Sequence, residues 1–292
     1  MNSKHISTKQ MMVWTVSAMS APLAIYAGKT SWEWILTVGI VCTAAVMLVF
    51  RFGSAEYGKV LQIMQLIILA MVAGTFSKEA AACWGEESVS MPLVLLALAA
   101  LSAGKSAQGA ARVCCCVAWI GAIIYALLLV VGVKNIQWSR VLEIGYFNEM
   151  IIIIYLFPVV WLLLPAQKLR GAGLPWTILF GLIISVLCFG TLSAKGVEAV
   201  GIPFYQYSKS LTMLGIAERF EAAASVALTL GVFCALSLLL CAAEEMIKHG
   251  AVIAAVIAAL NVRINSRIMV ISVVFAWIIL PLLRAAKKVE KR

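Results

Sequence analysis

Aspartate is absent from this chain, histidine occurs twice, and charged residues of every kind make up only 12% of its 292 positions. A water-soluble domain carries roughly a quarter charged residues, so the shortage excludes a globule dispersed in water. Hydrophobic residues fill 63% of the chain and the mean hydropathy is +1.02, which makes lipid the principal solvent. His5 and His249 have no companion ligands, and no paired carboxylates, nucleophile with a base, or phosphate-binding loop is present. No enzyme chemistry and no cofactor is therefore expected. The eight cysteines (Cys42, Cys83, Cys114, Cys115, Cys116, Cys188, Cys234 and Cys241) form no CxxC pair. Three in a row on a helix point about 100° apart, so Cys114 to Cys116 are expected to be small packing residues rather than metal ligands or disulfides.

A helix that crosses the hydrocarbon core needs about 20 mostly apolar residues. Ten runs of roughly that kind are present, at 10–27, 31–50, 58–77, 91–104, 112–133, 147–165, 173–194, 219–243, 249–261 and 266–286. The first follows a polar start and shows no small-residue cleavage pattern, so it is expected to be a retained helix and not a signal peptide. Cytoplasmic loops are enriched in Lys and Arg. With the N-terminus inside, 14 basic residues and four acids fall on the cytoplasmic side, against nine of each outside. The net charge of +10 is then all cytoplasmic. Topology accounts for a charge that in a soluble protein would suggest nucleic acid, and both termini are expected in the cytoplasm.

The ten runs divide into two sets of five that share oddities, with repeat one about 10–134 and repeat two about 147–286 of a single transmembrane domain. Pro22 in the first run and Pro158 in the sixth hold equivalent places, and runs four and nine are the two shortest. An odd number of spans per repeat makes the repeats inverted, as in many transporters. The expected fold is thus an all-α membrane protein of about ten transmembrane helices in a 5+5 inverted, LeuT-like repeat with spans one and six broken. Proline inside a helix frees backbone groups that lipid cannot satisfy. A simple kink is one outcome; a ligand site where two broken helices meet is the other. On the second, the ligand-binding candidates are Ser17, Ala18, Ser20 and Pro22 in span one, and Tyr155, Phe157 and Pro158 in span six. Ser225 and Thr229, four apart on one face of span eight, join them.

Glu149 stands about 13 Å along a straight helix from Pro158 and Glu221 lies near the start of span eight. Ionisable groups in a membrane are candidates for a gate or relay, while an acid near a helix N-terminus is also favoured simply by the dipole. Gln62 and Gln65 in span three are expected to hydrogen-bond between helices. Trp14, Trp32, Trp34, Trp84, Trp138 and Trp161 lie toward span ends and are expected to form an aromatic belt.

Several stretches carry a resemblance. Ile6-Ser7-Thr8-Lys9-Gln10 before span one, Ala27 to Trp32 before span two, Phe147-Asn148-Glu149 with Phe157-Pro158 in span six, Gly104 to Arg112 before span five, and Leu214 to Glu221 with its Glu218-Arg219-Phe220-Glu221 core appear in order along the chain. Together they resemble the spore germination permease family, the B-type subunits of nutrient germinant receptors within the amino acid, polyamine and organocation transporter superfamily. The resemblance implies a multi-pass subunit of the spore inner membrane that binds a small nutrient, an amino acid first of all, beside an A-type membrane subunit and a C-type lipoprotein. It also implies that span eight lies against span one. A secondary amino acid transporter, or a scaffold whose site has collapsed, would share the architecture. The basic tally predicts that a reporter fused after Arg292 reads cytoplasmic, and an outward-facing reporter would overturn the ten-span count.

Overall fold

The computed structural model describes residues 6–53, 59–82, 84, 90–142, 146–164, 173–211, 220–260 and 265–290, with the side chains of 194, 199 and 287–290 set aside. His5, Cys83, Glu218 and Arg219 lie outside the described residues. The fold is 89% helical, with no strand among the described residues. Among the described residues seven helices are long and apolar enough to cross a membrane, and three shorter apolar ones, Ser90–Lys105, Met150–Leu163 and Gly250–Ala259, stand where spans four, six and nine are expected. The chain is an all-α membrane protein.

In chain order the elements are α1 (Thr8–Tyr26), closed by a 3-10 turn at Ala27–Lys29, then α2 (Trp32–Phe52), α3 (Lys59–Ala82), α4 (Ser90–Lys105) and α5 (Ala107–Gly132). A short α6 (Trp138–Val141) leads to α7 (Met150–Leu156), which runs into a 3-10 segment at Phe157–Leu163. After these come α8 (Leu174–Ala199), α9 (Pro203–Lys209), α10 (Glu221–Met246), α11 (Gly250–Ala259) and α12 (Ser266–Val274). A π segment at Phe275–Ile279 joins α12 to α13 (Leu280–Glu290).

Local chemistry sets the helix starts. The Ile6 to Gln10 stretch is a capping box: the Gln10 N–H donates to Ser7 Oγ at 3.2 Å, and the Ser7 N–H donates to Gln10 Oε1 at 3.1 Å. Ser106 caps α5 through the Gly109 N–H, and Asn265 caps α12 through that of Arg267. At α11 the Glu244 carboxylate accepts from the N–H groups of His249 and Ala251, while His249 takes a left-handed φ of 63°. Gly250 is required there, because a Cβ would strike the Ala243 carbonyl.

The proline expectations divide. Span six does unwind at Pro158, where the 3-10 segment is seven residues long, beyond the usual three or four. Span one does not break: α1 passes through Pro22 as continuous helix. Pro22 lies four residues before the end of α1, so its missing N–H costs one backbone bond near the helix end, among buried neighbours Ala21, Leu23 and Ala24.

Of the seven long helices, α1 and α10 are the most enclosed, with 83% and 78% of their most apolar stretch buried, against 17% for α5. They pack on each other, and α10 also packs on α3, α4, α5 and α11. Further packings join α3 to α4 and α11, α11 to α4, α1 to α5 and α8, α2 to α7 and α8, and α12 to α7 and α3. Small residues permit the central contact, since a Cβ on Gly231 would sit 2.6 Å from Ala21 Cβ and 3.0 Å from Ser20 Oγ. Trp14 and Trp161, expected in the aromatic belt, are instead fully buried core residues, whereas Trp34, Trp84 and Trp138 are exposed toward span ends. The indole N–H groups of Trp14 and Trp161 find protein acceptors, which is what permits a core position.

Gly231→Ala is expected to destabilise the detergent-purified protein by about 1–3 kcal/mol through overpacking, read as a lower thermal midpoint. Gly104→Ala, whose Cβ meets nothing within 4 Å, is the control and should leave the midpoint unchanged or raised.

Candidate functional site

A cavity of about 760 Å³ lies between α1, α5, α8 and α10, with α9 at one end. From α1 it receives Val16, Ser17 and Ser20; from α10, Ala227, Leu230 and Gly231. Gly121, Ala122 and Tyr125 of α5 face Phe180 and Ile183 of α8 across it, and Trp119 and Trp176 stand at its edge. No charged side chain among the described residues lines it. The two serine hydroxyls are the principal polar groups of the α1 wall, and Ser20 Oγ already donates to the Ser17 carbonyl at 2.8 Å. Such a lining favours an apolar guest and gives a charge little to bind.

Aromatic rings close the end beneath α9. Tyr125 packs edge-on to Phe180 at 5.0 Å and against Phe204 at 5.7 Å, and Phe204 meets Tyr207 at 5.8 Å. The Tyr207 hydroxyl donates to the Leu128 carbonyl at 2.7 Å. The short α9 falls in a stretch expected to be loop, yet Pro203 and Phe204 carry a helix start and an apolar anchor that would have marked it.

Of the candidate residues, Ser17 and Ser20 reach this cavity. Ala18 is buried behind its wall and Pro22 lies deeper in the core. The span-six candidates stand elsewhere. Tyr155 wedges its ring between Gly39 of α2 and Gly181 of α8, and its hydroxyl has no hydrogen-bond partner among the described residues. Phe157 packs between Phe76 of α3 at 6.3 Å and Trp277 of the π segment at 6.4 Å, and Pro158 is buried beside it. Ser225 and Thr229 do share a face, with Thr229 Oγ1 donating to the Ser225 carbonyl. That face receives the indole N–H of Trp84 at 2.8 Å, while neighbouring Ala227 and Gly231 turn toward the cavity. The expected cluster is therefore divided between two sides of α1.

No protein-family model matches this chain, and no curated protein matches it.

What links the two sides is a pair of indoles. Trp14 of α1 and Trp161 of the 3-10 segment meet edge to face at 5.3 Å and 86°. Trp14 Nε1 donates to the Cys234 carbonyl of α10 at 3.0 Å. Trp161 Nε1 donates to Thr15 Oγ1 at 2.8 Å, and that hydroxyl donates to the Met11 carbonyl. Three spans are thus fastened at one buried point.

Glu149 accepts from Arg267 Nε at 3.0 Å, an ion pair between the starts of α7 and α12, but the Arg267 side chain is 81% exposed. Exposed pairs contribute about 0–1 kcal/mol, so this one orients the two ends more than it holds them. Glu221 lies in the first turn of α10, where the helix dipole favours an acid. Beside Glu149, the Ser31 N–H donates to the Tyr146 carbonyl and the Asn148 N–H to Thr30 Oγ1. A hydrogen bond to Glu198 raises the Tyr146 hydroxyl above its usual pKa.

Thr15→Val leaves the Trp161 N–H buried without its acceptor and is expected to cost about 1–3 kcal/mol. Adding Trp161→Phe removes the stranded donor, so the double variant should be more stable than the sum of the single losses predicts; additive losses in a thermal-unfolding cycle would refute the bond's role.

Proposed function

We propose that this chain is the membrane-embedded, nutrient-binding subunit of a receptor of the spore germination permease kind, with ten spans and both termini in the cytoplasm of a spore inner membrane. The observation that carries the reading is the apolar cavity that α1 and α10 form with α5 and α8. Its lining suits an amino acid with an apolar side chain: the side chain fills the cavity, and the charged groups stay, with their water, at the Ser17 and Ser20 wall. Occupancy would favour one packing of α1 against α5 and α8, and it shifts that equilibrium only by the difference in affinity for the two packings. The A-type subunit and the C-type lipoprotein, implied by the resemblance, would receive the change.

The inverted repeat has support from the packing. When five is added to each span number, α3 on α4 becomes α10 on α11, α4 on α10 becomes α11 on α3, and α1 on α5 becomes α7 on α12. In the same way α2 on α7 becomes α8 on α1, and α5 on α10 becomes α12 on α3. The α1 and α10 contact has its counterpart in Phe157 against Phe76. Uptake of the same nutrient is the second reading, favoured by this matched packing, because two such halves can rock about a site. Flux of labelled amino acid in proteoliposomes separates uptake from sensing.

Gly121 faces the cavity and a Cβ there meets nothing within 4 Å, so Gly121→Leu fills the cavity without forcing helices apart. Spores with this variant at normal protein level are expected to lose their response to the apolar amino acid nutrient. An unchanged response would remove this cavity from the account.

A further inference from the structure

Two irregular helical stretches meet on the side of the bundle away from the cavity. The 3-10 segment Phe157–Leu163 packs on the π segment Phe275–Ile279, with Phe157 edge-on to Trp277. Each departs from the i to i−4 pattern, and π turns inside α-helices are frequent at functional sites. Pro281 supplies a cause for the second: it lacks an N–H and crowds the carbonyl four residues back, which belongs to Trp277.

Side chains at this junction are left with unmet hydrogen-bonding capacity. Gln65 of α3 is fully buried and donates from Nε2 to the Ala276 carbonyl at 2.8 Å, while its Oε1 has no partner among the described residues. The next residue, Trp277, is 1% exposed, and its Nε1 also has none. Among the large buried indoles this is an exception, because Trp14 and Trp161 both donate to protein oxygens. One group is an acceptor and the other a donor, and both sit where burial without a partner is costly.

We infer that the junction of α3, the 3-10 segment and the π segment is a binding site for ordered water, which donates to Gln65 Oε1 and accepts from Trp277 Nε1. The pair of needs selects the guest. A bare cation would satisfy Gln65 but repel the indole N–H, and an anion would do the reverse; water, donor and acceptor at once, meets both needs. Bound there, it ties α3 to span ten at the one place where span ten lacks regular helix bonds.

X-ray hydroxyl-radical footprinting of the full-length protein in nanodiscs tests this, because radicals born from bound water oxidise side chains that bulk solvent does not reach. Trp277 is expected to be oxidised about threefold or more faster than Trp14 and Trp161, which are equally buried but bonded to protein. Gln65→Met should bring the Trp277 rate down toward that of Trp14. Labelling of Trp277 in the unaltered protein no faster than that of Trp14 and Trp161 overturns the proposal without relying on any variant, and a Trp277 rate unchanged by Gln65→Met in folded protein overturns the role of Gln65.

Discussion

The indole pair Trp14 and Trp161 is the constraint on which the bundle depends. An unwound segment in lipid is untenable unless its polar groups are met by protein or water, and the seven-residue 3-10 stretch that contains Pro158 is held by the Trp161 side chain, which reaches into α1. Because Trp14 in turn bonds to α10, the irregular segment is tied to α1 and α10, the most enclosed of the long helices. The T-shaped contact adds to the hydrogen bonds: aromatic pairs contribute about 0.5–1.5 kcal/mol beyond area.

Elsewhere the bundle is closed by small residues. Lipid tails are as apolar as leucine, so burying leucine against another helix gains little, and close backbone approach has to supply the packing. Gly231 against Ala21, Gly74 against the Ala258 carbonyl and Gly250 against Ala243 are such approaches. They bring α10 to α1, α3 to α11 and α11 to α10. Ser102 of α4 adds a polar tie, its hydroxyl 3.1 Å from that of Ser237 in α10.

Much of this fold was legible because span length and charge asymmetry act on the chain one segment at a time. The helix boundaries of α2, α4 and α10 follow from apolar runs that end in charge or glycine, and Gln65 does bond between helices as its type implies. Which face of a span meets which neighbour was not legible. In a soluble helix the apolar stripe points inward, but α5 and α10 are apolar all round, so Ser225 and Thr229 reveal that they share a face and not where it points. Pro22 and Pro158 look alike in sequence and behave differently: α1 continues as helix through Pro22, whereas span six passes into 3-10 at Phe157. Pro281 carried a signal for the π segment that length counting passes over. The Ile6 to Gln10 stretch resembles a family opening and acts as a helix cap, so likeness at that point speaks of where a helix begins rather than of what is bound.

The π segment sets a phase between the two halves of span ten. An α-helix advances about 100° per residue, and a π turn accommodates one residue more than the regular turn it replaces. The rows of side chains on α13 are therefore offset from those on α12, and α13 is the half that packs on α2. Resolving the extra residue into regular helix would act as a screw, swinging α13 by about 100° around its own axis while α12 kept its seat on α7. Arg284 would then face a different azimuth, a large rotation obtained from a change confined to one turn.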